Sequence, residues 1–230
     1  MSSATTQSAA SDLLKTMFSR LILLGPAFIV FVITLIFGLI IGLAAARNPT
    51  ILWGLSIGSV FLVGFLTSIL GLGITSFLVA DLYENKPLSI VEGWNRAKPL
   101  LGPLALIGII LFVTGLTALI PVPVVGSIIQ GIIWTFITPS AVLICLRGDT
   151  PVQALINGFN MMVNLVNRDA LTFVLILVFY MFSWVTFGVL YILAIPLTVL
   201  AIAYMLGATA EVQAGNATSI ESLIRLFFTL

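Results

Sequence analysis

From Leu21 to Ala46 the chain runs for 26 residues without a charged side chain. Inside a bilayer a segment this apolar can satisfy its backbone within itself only as a helix. At about 1.5 Å per residue it is long enough to cross a hydrocarbon core of about 30 Å. The "AAA" at 44–46 looks like a small-residue cleavage site, but the apolar stretch of a signal peptide is only about 7–15 residues, so the segment reads as a retained helix. Comparable runs recur, and the sequence predicts helices at 21–46, 51–80, 100–120, 124–146, 170–187 and 189–209. Only 7% of the residues are charged and 60% are hydrophobic, against about 25% charged in soluble domains. The expected fold class is therefore all-α, a polytopic membrane helix bundle of about six transmembrane helices. It forms a single membrane domain over 1–230, with amphipathic cytoplasmic ends at 1–20 and 210–230 around a bundle at 21–209.

Two of the joints lack charge and rest on other signals. In "LIPVPVVGS" (119–127) Pro121 and Pro123 remove backbone donors and bias the residues before them away from helix, which breaks the chain between the third and fourth spans. Residues 170–209 are too long for one crossing and long enough for two, with Gly188 as the turn and Pro196 as a kink in the sixth helix.

With six spans the charges sort by side. Lys15, Arg20, Lys86, Arg96, Lys98, Arg147, Arg168 and Arg225 fall with the termini, and only Arg47 falls opposite. Basic residues concentrate on the cytoplasmic side of membrane proteins, so both termini are expected in the cytoplasm of a multi-pass cell-membrane protein. Every Asp and Glu falls on that same side, so no ionisable side chain is expected deep in the bilayer.

The polar connectors repeat. "PLSIVEGWNRAKP" (87–99) follows the second span and "PVQALINGFNMMVNLVNRD" (151–169) follows the fourth, and each opens with proline and runs into glycine, aromatic, asparagine. In the first, Leu88, Val91, Trp94 and Ala97 form one face, while Ser89, Glu92, Asn95 and Arg96 form the other, with Glu92 placed to pair with Arg96. In the second, Gln153, Asn157, Asn160, Asn164 and Asn167 step by four and three along a polar stripe. Both segments read as amphipathic helices lying flat at the cytoplasmic interface. Weaker versions occur at 11–24 and 218–228, giving a unit of one amphipathic and two membrane helices that occurs three times. Trp94, Arg96, Phe159, Asn157, Asn160 and Asn164 are the candidate contacts to a partner or to lipid; the alternative is that these helices are only connectors.

The order of "PLSIVEGWNRAKPLLGPLALIG", "IPVPVVGSIIQG", "PSAVLICLRGDTPVQALINGF" and "AIPLTVLAIAYM" across 87–206 resembles small six-helix prokaryotic integral membrane proteins of unknown function. These are related to the membrane domain of some glycerophosphodiester phosphodiesterases. The resemblance covers about half of the chain and implies the fold; the phosphodiesterase domain itself is not in this sequence.

Chemistry is sparsely provided. There is no histidine and one cysteine, Cys145, so no zinc, haem or other cofactor site is expected, and no intramolecular disulfide. Lacking a nucleophile with a positioned base, the chain is not expected to be an enzyme. Lacking a basic cluster, it is not expected to bind nucleic acid. "GLIIG" (38–42) and "GLSIG" (54–58) are small-residue motifs expected to pack within the monomer; no oligomeric state follows from them. Gln130 shares a helix face with Trp134, Thr138 and Ala141 and could line a pocket near the break, but is expected to touch water at the outer interface. The functions that remain are a noncatalytic scaffold or accessory subunit for a membrane partner and, as the alternative, a transporter, flippase or channel for an uncharged or lipidic solute. The bilayer is the expected partner, and the scaffold reading adds a membrane protein.

Overall fold

A computed structural model describes residues 9–47, 52–119, 123–183, 186 and 189–213. Every regular element among them is helical: α1 (Ala9–Ser19), α2 (Gly25–Arg47), α3 (Leu52–Leu66), α4 (Thr75–Tyr83), α5 (Ile90–Ala97), α6 (Leu101–Gly115), α7 (Pro123–Arg147), α8 (Pro151–Arg168), α9 (Ala170–Phe182) and α10 (Tyr191–Gln213). Four helical stretches are long and apolar enough to cross a membrane: Leu21–Ile41, Ile57–Tyr83, Ile90–Gly115 and Val125–Arg147. Ala170–Phe182 and Tyr191–Gly207 are apolar but shorter.

The core lies around α7 and α10. Between Ala194 and Met205, α10 buries apolar side chains on every side, the property of a helix enclosed by others. It packs on α9, α2, α4, α7 and α1, while α7 packs on α6, α8, α9 and α10. α1 joins through Ala9, Ala10, Leu13 and Met17, a buried stripe at helical spacing. α2 is peripheral: Ala27 and Val30 are buried, but Leu35, Ile36, Phe37, Leu39, Ile40 and Leu43 are exposed.

Glycines set the closest helix contacts. A Cβ on Gly64 would fall 2.8 Å from the Phe112 nitrogen, and one on Gly131 would fall 2.5 Å from Cα of Met181. Backbones at these crossings of α3 with α6 and α7 with α9 approach to a distance that only glycine permits. The expected internal packing is not found at the described glycines of the small-residue motifs. Gly38, Gly54 and Gly58 would each receive a Cβ into open space.

Two other expectations change. The predicted continuous helix over 51–80 is interrupted by a π-helical segment, Thr67–Ile74, between α3 and α4. Gly71 and Gly73 lie in it, and Ser68 Oγ donates to the Leu104 carbonyl at 2.7 Å, so the wider turn is anchored to α6. The first amphipathic helix is not separate from the following span: α5 runs into α6 through a 3-10 turn, Lys98–Leu100, with Pro99 near its start, where a missing N–H costs little. The fourth span begins within one residue of its expected start at 124. Pro123 is the first residue of α7, the position proline favours, and Pro121 lies outside the described residues. Pro196 is buried within α10 without ending it, and α7 carries a second internal proline, Pro139. The chain does turn between α9 and α10, although Gly188 is outside the described residues, as is 218–228.

Candidate functional site

Both amphipathic segments are entered by a left-handed residue after the preceding helix, Asn85 (φ 53°) and Gly148 (φ 70°). The helices then start on local caps. Ser89 Oγ accepts from the Glu92 N–H at 3.3 Å, and the N–H and hydroxyl of Thr150 both donate to Gln153 Oε1. Each helix next docks through its glycine. A Cβ on Gly93 would meet Ile74 at 3.0 Å, and one on Gly158 would meet the Ser140 nitrogen at 3.1 Å and Pro139 at 3.3 Å. Ile74 stands nineteen residues before Gly93, and Ser140 and Pro139 eighteen and nineteen before Gly158, so each glycine docks on a helical segment that precedes it.

On α8 the side chains sort into three faces at about 100° per residue. Ala154, Gly158, Met162 and Leu165 are buried against the bundle. Val152, Ile156, Phe159, Val163 and Val166 are exposed and apolar. Gln153, Asn160, Asn164 and Asn167 are exposed and polar, about a quarter turn from the apolar face. The asparagine stripe therefore loses one member. Asn157 is half-buried and donates to Asp149 Oδ2 at 2.8 Å, while Arg147 Nε lies 3.4 Å from Asp149 Oδ1. Phe159 is exposed over half its surface and packs its ring at 5.0 Å from Phe136.

α5 departs further from its helical wheel. Gly93 and Ala97 are its buried residues, Trp94 is half-buried against the core, and Val91, assigned to the apolar face, is 70% exposed. Arg96 does not pair with Glu92. It donates to Asp81 at the end of α4, with its guanidinium 4.5 Å from the Phe77 ring centroid. Asp81 is 3% exposed, and a buried carboxylate needs a cation or several donors, whereas Glu92 remains in solvent. No position in the sequence pattern marked this pair: Asp81 read as the polar end of an apolar run.

The fourth-span face also differs from expectation. Gln130 does not touch water; it is 1% exposed, because α7 passes through the middle of the bundle. Trp134 and Thr138 are buried beside it, and Ala141 one turn further on. Trp134 forms an aromatic cluster with Tyr180 of α9 and Tyr191 of α10, with ring centroids 5.5–6.4 Å apart. Sequence reasoning missed both tyrosines, since nothing in 170–209 indicated which face of either helix turned inward. Among the described residues no group of three or more Cys, Asp or Glu is arranged to hold a metal ion. No family model matches the chain, and no curated protein or solved structure does either.

Proposed function

We propose that this chain is a noncatalytic, six-span membrane protein with cytoplasmic termini that acts as a scaffold or accessory subunit for another membrane protein. The observation that carries this reading is the division among its glycines. Gly64, Gly108, Gly131 and Gly158 are spent on close contacts inside the chain, while Gly38, Gly54 and Gly58 on α2 and α3 face open space. Small residues on a membrane helix let a second helix approach, and α2 leaves most of its outer half to neighbours other than its own chain.

The three faces of α8 support an interfacial position on the cytoplasmic side. One face rests on the bundle, one is apolar for the acyl region and one is polar for water, the arrangement of a helix lying in the interface plane. α9 and α10 serve as the fifth and sixth spans. The resemblance to small six-helix prokaryotic membrane proteins is part of this proposal and agrees with it in helix number.

Copurification from native membranes, read by mass spectrometry, tests the role: a stoichiometric membrane protein is expected with the native chain and is lost with Gly38→Leu plus Gly58→Leu. Recovery of the chain alone sinks the scaffold reading. Orientation is tested separately with single cysteines at Glu92 and Asn164 in a Cys145→Ser background. Both should react with impermeant maleimide only when the cytoplasmic side is opened.

A further inference from the structure

α8 runs over 18 residues, Pro151–Arg168, and is about 27 Å long at 1.5 Å per residue. Ala154, Gly158, Met162 and Leu165 fix it to the bundle. The adjoining face of Val152, Ile156, Phe159, Val163 and Val166 is bulky, apolar and exposed, and extends over about four turns. This face is continuous with the outer surface of the bundle. Ile129 and Ile132 are exposed on α7, and Phe136 follows them at helical spacing, half-buried. The Phe136 ring lies 5.0 Å from Phe159 and 5.9 Å from Phe173 of α9. The apolar stripe that α7 turns outward therefore continues onto α8 without a polar break.

What holds α8 to a membrane follows from its other exposed face. Gln153, Asn160, Asn164 and Asn167 are polar and uncharged, and no Lys or Arg occurs in the helix before its last residue, Arg168. Arg147, just ahead of the helix, lies beside Asp149. A helix held by anionic head groups carries its cations along the polar face. α8 has none there, so its attachment comes from apolar side chains inserted among acyl chains. The insertion is one-sided. In the six-span arrangement α1, followed by exposed Leu21, and α5, with exposed Val91, lie on the same side as α8. The joints on the other side are 48–51, 116–122 and 183–190, none long enough for a helix like α8. Helices wedged into one leaflet widen it relative to the other, and the bilayer relieves the mismatch by curving.

We infer that α8 is a wedge in the cytoplasmic leaflet: its apolar face inserts among the acyl chains, and the protein concentrates where the cytoplasmic surface of the membrane is convex. The inference rests on the cytoplasmic placement of α8 in the reading above and needs no protein partner.

The test uses the full chain carrying Cys145→Ser and Asn164→Cys in giant vesicles of dioleoylphosphatidylcholine, from which narrow tubes are pulled outward. An impermeant fluorescent maleimide added outside marks only molecules whose α8 faces out; blocking these first and adding a permeant dye marks those facing in. Outward-facing molecules are expected to be enriched at least two-fold on the tube relative to the flat membrane, and inward-facing ones to be depleted. Val152→Gln with Ile156→Gln and Val163→Gln removes apolar bulk from the exposed face alone and is expected to return the outward-facing ratio to that of a lipid dye. Where that triple variant fails to fold, the comparison of the two orientations on the parent chain decides alone. Equal ratios for the two orientations, an unchanged ratio in the folded triple variant, or enrichment that appears only when dioleoylphosphatidylglycerol is added overturns the inference and leaves the cytoplasmic placement standing. A position 164 that neither dye reaches overturns both.

Discussion

Arg96 of α5 donates to Asp81 of α4, fifteen positions earlier, and lies over the ring of Phe77. The pair ties the first amphipathic helix to the span before it. Removing the cation alone leaves a buried carboxylate without compensation, at a cost of about 3 kcal/mol, the lower end of the range because Arg96 is partly exposed. Arg96→Met should therefore lower the melting temperature in detergent, and Asp81→Asn added to it should restore most of the loss. An unchanged melting temperature in the single variant would mean that the pair is not formed in the folded protein.

Glycines at close crossings and open glycines should respond oppositely to the same change. Gly131→Ala forces a methyl against the backbone of Met181 and is expected to cost about 1–3 kcal/mol or more as an overpacked contact. Gly38→Ala meets nothing and should be neutral for folding. Membrane yield and detergent melting measure both, and equal losses would contradict the assigned packing.

The asparagines of α8 should separate into two classes. Asn160→Ser with Asn164→Ser alters only exposed side chains and should stay within about 0.5 kcal/mol of the parent. Asn157→Ala removes the donor to Asp149 and should cost about 1.5–3 kcal/mol, as expected for a bond to a charged group. A large loss in the first pair would argue that those asparagines are buried by something else, such as a partner.

The left-handed entry residues give a backbone test. Gly148→Ala places a Cβ at φ 70°, which costs about 1–2 kcal/mol. Asn85→Gly removes the same kind of strain from the first copy and should be neutral or stabilising. A stabilising Gly148→Ala, read by thermal unfolding, would show that the turn relaxes out of this conformation.

The matched aromatics test the proposed partner surface. Trp94→Phe combined with Phe159→Trp keeps bulk at each site and changes shape. It is expected to leave insertion intact and weaken recovery of a copurifying protein. Undiminished recovery here, and also in the double alanine variant, would reduce these helices to connectors and leave α2 and α3 as the whole of the proposed interface.

The sequence alone determined the all-helical character and the rough position of each apolar helix, because length, absence of charge and the need to satisfy backbone groups without water act locally along the chain. It also determined the repeated amphipathic segments, since a periodicity of three and four is a property of neighbouring residues. Tertiary structure decided which faces turned inward. Val91 and Trp94 lie on one side of a helical wheel, yet Val91 is exposed because Gly93 is where the backbone of α5 meets Ile74. Gln130 was placed in water because it follows a helix break; it is buried because α3 and α6 close over α7 there. Arg96 was expected to pair with Glu92 because they lie one helical turn apart; it pairs with Asp81 because docking α5 on α4 removes the water from that carboxylate. Each of these outcomes depends on contacts between residues distant along the chain, which local periodicity does not encode.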